Sequence, residues 1–259
     1  MNNRLLPKSV ELADSISILG SPKLLELESE IRCLVWNIYK ARRSNWRNDF
    51  NELCTDRHLV LLQEAVTNAP TDSVFDLCER YEWVMAGSHQ HPVSRIITGV
   101  KTGCVATAGH RQVHRSNFCE PVVKTQKLLL ETHYALANCN HTLMVLNMHA
   151  INFVSVMKYV DQLDQLSAAL AEHSGPVILA GDFNTWNPKR LSHFKRVASS
   201  AGLSEACMTR RSKIQHLHQH LDHVFYRGLS LSSVESLQHI SSSDHAPITA
   251  TFCIEKDQL

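Results

Sequence analysis

The sequence predicts an α/β (α+β) chain folded as a four-layer α/β/β/α sandwich, two packed sheets with helices outside. Three features lead there. Short, continuous apolar runs recur along the 259 residues, and strands buried on both faces read that way. Two stretches of helical periodicity interrupt these runs. The composition, 44% hydrophobic and 20% charged, supplies a sizeable core that layered sheets and helices must share.

Residues 1–28 are polar and weakly periodic and read as an N-terminal arm or a leading helix. Residues 29–259 hold no repeat, low-complexity tract or linker and read as one domain. Arg32–Ile38 is an apolar strand carrying Asn37 near its end. Trp46–Leu53 reads as a short helix. Leu59–Gln63 is a second strand, ending in Gln63-Glu64. Thr71–Arg80 looks helical, with Val74, Leu77 and Cys78 on one face. Strands follow at Tyr81–Ala86, Val100–Ala108, Lys127–Ala137 and Leu143–His149, the last two joined by a turn at Asn138-Cys139-Asn140. Phe153–His173 is the clearest helix, since Val156, Val160, Leu163, Ser167 and Leu170 recur at intervals of four and three. Gly175-Pro176 stops it. The buried strand Val177–Ala180 runs into Gly181-Asp182-Phe183-Asn184, and a helix over Lys189–Ser200 ends before Gly202. Strands at Asp222–Tyr226 and Ile248–Ile254 complete the set. Ile248, Ala250, Phe252 and Ile254 share a face, as in a half-buried strand.

Net charge is +1, so no broad field draws nucleic acid, although one basic groove stays open as an option. The longest apolar runs, such as Leu59–Leu62 and Val177–Ala180, are strand-sized and too short to span a bilayer. Residues 1–20 have scattered charges and no apolar core of a signal peptide, which predicts a cytoplasmic protein. Eight cysteines form no Cys-x-x-Cys pair and are expected to be reduced, mostly buried thiols. No obligate protein partner is indicated.

Polar residues gather at the ends of the apolar runs: Trp36-Asn37, Gln63-Glu64, Asn147-Met148-His149, Gly181-Asp182-Phe183-Asn184, Leu221-Asp222-His223 and Ser243-Asp244-His245-Ala246-Pro247. Phosphodiester hydrolysis needs such parts. A hard cation requires carboxylate and amide oxygens. A histidine paired to an acid suits water activation near neutral pH. Donors must stabilise charge on the phosphoryl oxygens. Asp182 and Asn184, two apart at a strand end, point to the same side, one to orient a reacting oxygen and the other to hold a phosphate oxygen. Asp244 would supply a metal-side carboxylate and His245 the base, with Asp222 fixing the imidazole tautomer. Asn147 faces the same way as His149 and is expected to hold it or a phosphate. The segment from Tyr39 to Arg47 includes Lys40, Arg42 and Arg43 beside aromatic residues. It reads either as a phosphate-contacting stretch or as a solvated loop with Trp46 tucked into the core. His216, His218, His220 and His223 read as a histidine-rich rim loop in preference to a dedicated soft-metal site.

Together and in this order, these strings resemble the endonuclease/exonuclease/phosphatase superfamily, the DNase I-like metal-dependent phosphoesterases. The resemblance covers about residues 30 to 254. It implies two mixed sheets in a DNase I-like sandwich. It also implies Mg²⁺ or Mn²⁺ as cofactor, with Glu64 as main ligand and Asn37 beside the metal. His149 falls where a histidine donates to the scissile phosphate or the leaving group. Trp36-Asn37-Ile38, Glu120-Pro121, Lys127 and the Asn147–Phe153 string, including Asn152, are similar to the bacterial YafD-like branch. The approach to Leu221-Asp222-His223 departs from it, with Gln215–His220 in place of a Gly- and Pro-containing stretch. The expected activity is phosphodiester hydrolysis, nucleic acid being the first substrate class. A lipid or inositol phosphoesterase is the alternative. An inactive binding scaffold is disfavoured, because no slot of the constellation is missing.

Overall fold

A computed structural model describes residues 6–11, 15–67, 72, 74–75, 80–207 and 221–254. Its strands, numbered in chain order, are β1 (Lys8–Ser9), β2 (Ile16–Leu19), β3 (Glu26–Leu27), β4 (Glu30–Asn37), β5 (Leu59–Val66), β6 (Glu82–Gln90), β7 (Ile97–Cys104), β8 (His110–Arg115), β9 (Leu128–Leu136), β10 (Thr142–His149), β11 (Val177–Asp182), β12 (Ser204–Glu205), β13 (Asp222–Arg227), β14 (Leu229–Ser236) and β15 (Ile248–Ile254). Among the described residues these α-helices join them: α1 (Trp46–Cys54), α2 (Val156–Ala171) and α3 (Pro188–Ser200).

The strands form two mixed sheets, as expected. In the first the order is β1-β6-β7-β5-β4-β15-β14, with β2 also on β6; in the second it is β12-β13-β11-β10-β9-β3, with β8 also on β9. Two parallel pairs matter most, β4 with β5 and β10 with β11. Their carboxyl ends gather polar residues at one rim, the usual place for a ligand site in sheets with parallel strands.

Side-chain alternation builds the layers. Along β10, Leu143 and Val145 join the core between the sheets, while Met144, Leu146 and Met148 face α2 and α3. Trp46 and Phe50 of α1 pack with Phe75 and Trp83 in one aromatic cluster. In β15 Ile248, Ala250, Phe252 and Ile254 are the buried face, as their spacing predicted.

Several expectations change. The described part of residues 1–28 is neither arm nor helix: β1 and β2 pair with β6, and β3 pairs with β9. Polar, short edge strands lack the apolar signal that marks inner ones. β8 and β14 were missed for the same reason, being mostly exposed or half-buried. In α2 the buried stripe is Tyr159, Leu163, Leu166 and Leu170, while Ser167 is exposed. Tyr159 fixes that rotation by donating its hydroxyl to Phe183 O at 3.0 Å. The proposed helix over 71–80 lies largely outside the described residues, as do His216, His218 and His220. Cys33, Cys54 and Cys104 are buried, Cys119 and Cys207 are exposed, and no disulfide forms among the described residues.

Candidate active site

Strand register assembles the site. His149 on β10 lies opposite Asp182 on β11, and Asp182 lies opposite Asp222 on β13. Asn37 lies opposite Gln63 on the other sheet. Residues far apart in sequence thus meet along one rim.

Gly181 makes the close approach of β10 and β11 feasible. Its φ is +140°, and a Cβ there would sit 2.0 Å from Met148 O. Asp182 follows, almost fully buried. Its Oδ1 accepts the Asn184 amide at 3.0 Å and its Oδ2 accepts Asn37 Nδ2 at 3.1 Å. The second bond crosses from one sheet to the other. Asn184 Nδ2 donates to Ala150 O at 2.9 Å.

His245 Nδ1 and Asp222 Oδ2 are 2.6 Å apart, the orienting pair that the sequence predicted. His245 Nε2 then faces Asp182 Oδ2 at 4.0 Å. Burial opposes charge on His245, but Asp222, Asp182 and Asp244 outweigh it and push the imidazole up to about 10. Burial, with the Asp222 charge next, raises the Asp182 carboxyl to about 6. Near neutral pH the site therefore pairs an imidazolium with a carboxylate poised to take a proton.

His149 Nε2 lies 3.5 Å from Asp182 Oδ2 and 2.9 Å from Lys127 Nζ. Burial and then Lys127 hold His149 well below its ordinary range, so the ring is neutral. The cation beside it is Lys127, to which the sequence assigned no role. Glu120 Oε1, 3.6 Å from Lys127 Nζ, also accepts the Asn152 amide at 2.9 Å. Lys127, which the sequence put at the start of a strand, lies just before β9 and carried no signal beyond the family resemblance.

Glu64 sits on a bulge of β5, where the register to β7 slips by one residue, and has φ 51°. Bulges of this type re-aim side chains beside active sites. Its Oε2 is buried without a hydrogen bond, and Lys40 Nζ lies 3.7 Å away. Asp222 Oδ1 is likewise buried without a hydrogen bond. Carboxylate oxygens with unused lone pairs, one on each sheet, are donors of the type that a hard divalent cation takes. Asp244 is exposed and accepts from Ser243 Oγ at 3.3 Å. The described carboxylates and imidazoles that converge within 4.8 Å here are Asp182, Asp222 and His245, so Glu64 and Asp244 stand apart from that group.

The remaining expected residues divide. Lys40 and Arg42 line a cavity of about 500 Å³ together with Glu64, His89, Lys127 and His149. Trp46 is in the core, as one of the two readings of that segment expected. Arg43 is engaged with Ser241 O and Ser243 O and so holds the loop that carries His245. Asn152 is at the rim, where its Oδ1 accepts from the indole of the exposed Trp186 at 2.8 Å. Asn147 does not face substrate. It is 0% exposed, accepts from Gln63 Nε2 at 2.7 Å, and donates to Lys101 O at 3.1 Å and Thr102 Oγ1 at 3.2 Å. Its side chain is spent on hydrogen bonds between the two sheets, so its alternation with His149 misled.

A sequence profile described as Endonuclease/Exonuclease/phosphatase family matches residues 34–245. The UPF0294 protein of Vibrio campbellii is 35% identical over 242 residues, covering 90% of this chain and 81% of that protein. A UPF0294 protein of Photorhabdus laumondii is 32% identical, covering 96% of this chain and 93% of its own length. Among solved structures, the human Nocturnin catalytic domain with bound sulfate anion aligns with a TM-score of 0.65 at 18% identity, covering 93% of this chain and 98% of that one. A Bacteroides thetaiotaomicron mannosyl-6-phosphatase aligns with a TM-score of 0.66 at 12% identity, covering 86% of this chain and 100% of that one.

Proposed function

The chain belongs to the endonuclease/exonuclease/phosphatase family, in its bacterial YafD-like branch, and from that membership we propose that it is a divalent-metal-dependent phosphodiesterase acting on nucleic acid. One observation carries this reading: Asp182, Asp222 and His245 converge within 4.8 Å, next to a cavity whose walls bring Lys40, Arg42 and Lys127 around Glu64.

Glu64, with Asn37 and Asp244, is the proposed Mg²⁺ or Mn²⁺ holder. When bound, that cation supplies positive charge to the phosphate and its leaving oxygen. The chain's own residues do the rest. Asp182, raised toward neutrality, takes the proton of the attacking water as the water oxygen bonds to phosphorus, while the ester P–O bond breaks and its electron pair leaves on the ester oxygen. His245, kept charged by Asp222, donates from Nε2 to a phosphoryl oxygen. This moves the base from His245, where the sequence reading put it, to Asp182. Asn184 and Asn37 hold the Asp182 carboxylate in place. Lys127, buttressed by the neutral His149, adds charge where the substrate enters.

The test is nicking of supercoiled plasmid in Mg²⁺ by the wild type, His245→Ala and Asp182→Asn. Each variant should lose about 10²- to 10⁴-fold in turnover with an unchanged circular dichroism spectrum. A folded variant with full activity would sink the mechanism. Glu64→Gln should also abolish the upward thermal shift that Mg²⁺ gives the wild type. A cavity of about 500 Å³ is also of small-molecule size. That supports a second reading, a lipid or inositol head-group ester, which becomes the first if the folded wild type does not nick DNA.

A further inference from the structure

Remote from this site, β8 and β9 build a second constellation. His110 and His133 are directly opposed across the antiparallel ladder, and Glu131 lies two residues from His133 on the same face. Directly opposed residues have Cβ atoms about 4.5–5.5 Å apart, and i, i+2 neighbours share a side. One donor atom from each of the three lies within 4.8 Å of the others. Glu131 Oε1 is 2.7 Å from His133 Nε2 and 3.8 Å from His110 Nε2.

We propose that His110, Glu131 and His133 form a second metal site, for a Zn²⁺-class ion. Ligands at about 2.0–2.2 Å in a tetrahedral shell stand about 3.3 Å from one another. The two observed spacings bracket that value, so small side-chain rotations close the shell. Two imidazole nitrogens and one carboxylate oxygen select a borderline ion over Mg²⁺. The neighbours that orient these side chains are in place. Glu131 Oε2 is bonded to His114 Nε2 at 2.7 Å, which leaves Oε1 for the ion. His173, its Nε2 3.2 Å from Pro176 O, packs edge-on against the His133 ring and confines it. Such outer partners are what orient first ligands in metal centres. His110 is about half exposed, so the fourth position opens to water. Glu131 is 7% exposed at its side chain, a buried charge that the ion would neutralise as the shared protons leave.

The site is separate from the catalytic rim. His133 lies opposite Met144, five residues along β10 from His149, or about 17 Å at the rise of a strand. Its effect would be to clip the edge strand β8 onto β9.

The test titrates Zn²⁺ into the chelator-stripped full chain, with millimolar Mg²⁺ present to occupy the hard-cation site. Wild type should bind one ion tightly. His110→Ala, whose side chain is half exposed and whose loss should leave the fold intact, should weaken binding at least about 100-fold. His114→Ala should weaken it about 10-fold, as an outer partner does. Co²⁺ should give a tetrahedral visible band that His110→Ala and His133→Ala remove. Zn²⁺ affinity unchanged in folded His110→Ala, or lost in His245→Ala instead, would overturn the proposal. So would a folded wild type that takes up no Zn²⁺.

Discussion

At His245 the sign of the charge decides the role. An imidazole held at about 10 by Asp222, against the effect of burial, is a donor at neutral pH, while Asp182 at about 6 is the acceptor. Activity should therefore rise as pH passes upward through about 6, when Asp182 loses its proton, and fall as pH passes about 10, when His245 loses its own. Asp222 raises both groups. Asp222→Asn should thus move both limbs of the kcat/KM profile to lower pH. A pH-rate profile of that variant superimposable on the wild type would refute the assignment. Much of this pairing was legible in sequence, because Asp182, Asp222 and His245 sit in short, recognisable strings. The location of the protons was not. It depends on burial and on charges brought in from other strands. Lys127 and Glu120 were readable only as part of the family resemblance, and their roles were not, since such residues acquire meaning from what they touch.

Elements add a different kind of control. Six of the ten described non-glycine residues with positive φ are Tyr39, Lys40, Ala41, Glu64, Phe153 and Asn184, all in segments that border the rim. Backbone in that region is held only where surroundings impose it, and it concentrates at functional sites. A turn of three such residues presents Lys40 to Glu64, and periodicity cannot forecast it. Arg190 of α3, itself buried, steadies the neighbouring loops by donating to Ile151 O at 3.0 Å and Val154 O at 2.9 Å. Gly181 is the tightest constraint. Gly181→Ala would drive a methyl into Met148 O and part β10 from β11. We expect a loss of about 3 kcal/mol or more in urea unfolding, with activity reduced even where the variant folds. A stability equal to wild type would show that the strands can separate freely. The inner strands were legible from their apolar runs; the polar edge strands, held by ladders alone, were not.

At the scale of the molecule, the seam between the sheets is the unit to test. Asn147 spans it, joining β10 to β5 and β7 with no exposure. Asn147→Leu would strand several buried partners at about 1–3 kcal/mol each. The urea midpoint should fall while KM stays constant in the folded fraction; a raised KM at unaltered stability would return Asn147 to the substrate. No helix among the described residues is long and apolar enough to cross a membrane. The bond from Asn37 to Asp182 crosses the same seam, and this has a kinetic corollary. Neither sheet carries the reacting groups by itself, so strands and helices formed early in folding possess no hydrolytic power. Competence arrives only when contacts distant in sequence close, the slow part of assembling a sheet-rich chain. Recovery of turnover after dilution from denaturant should lag the far-ultraviolet signal, and coincident recovery of the two would show that the site forms before the seam closes.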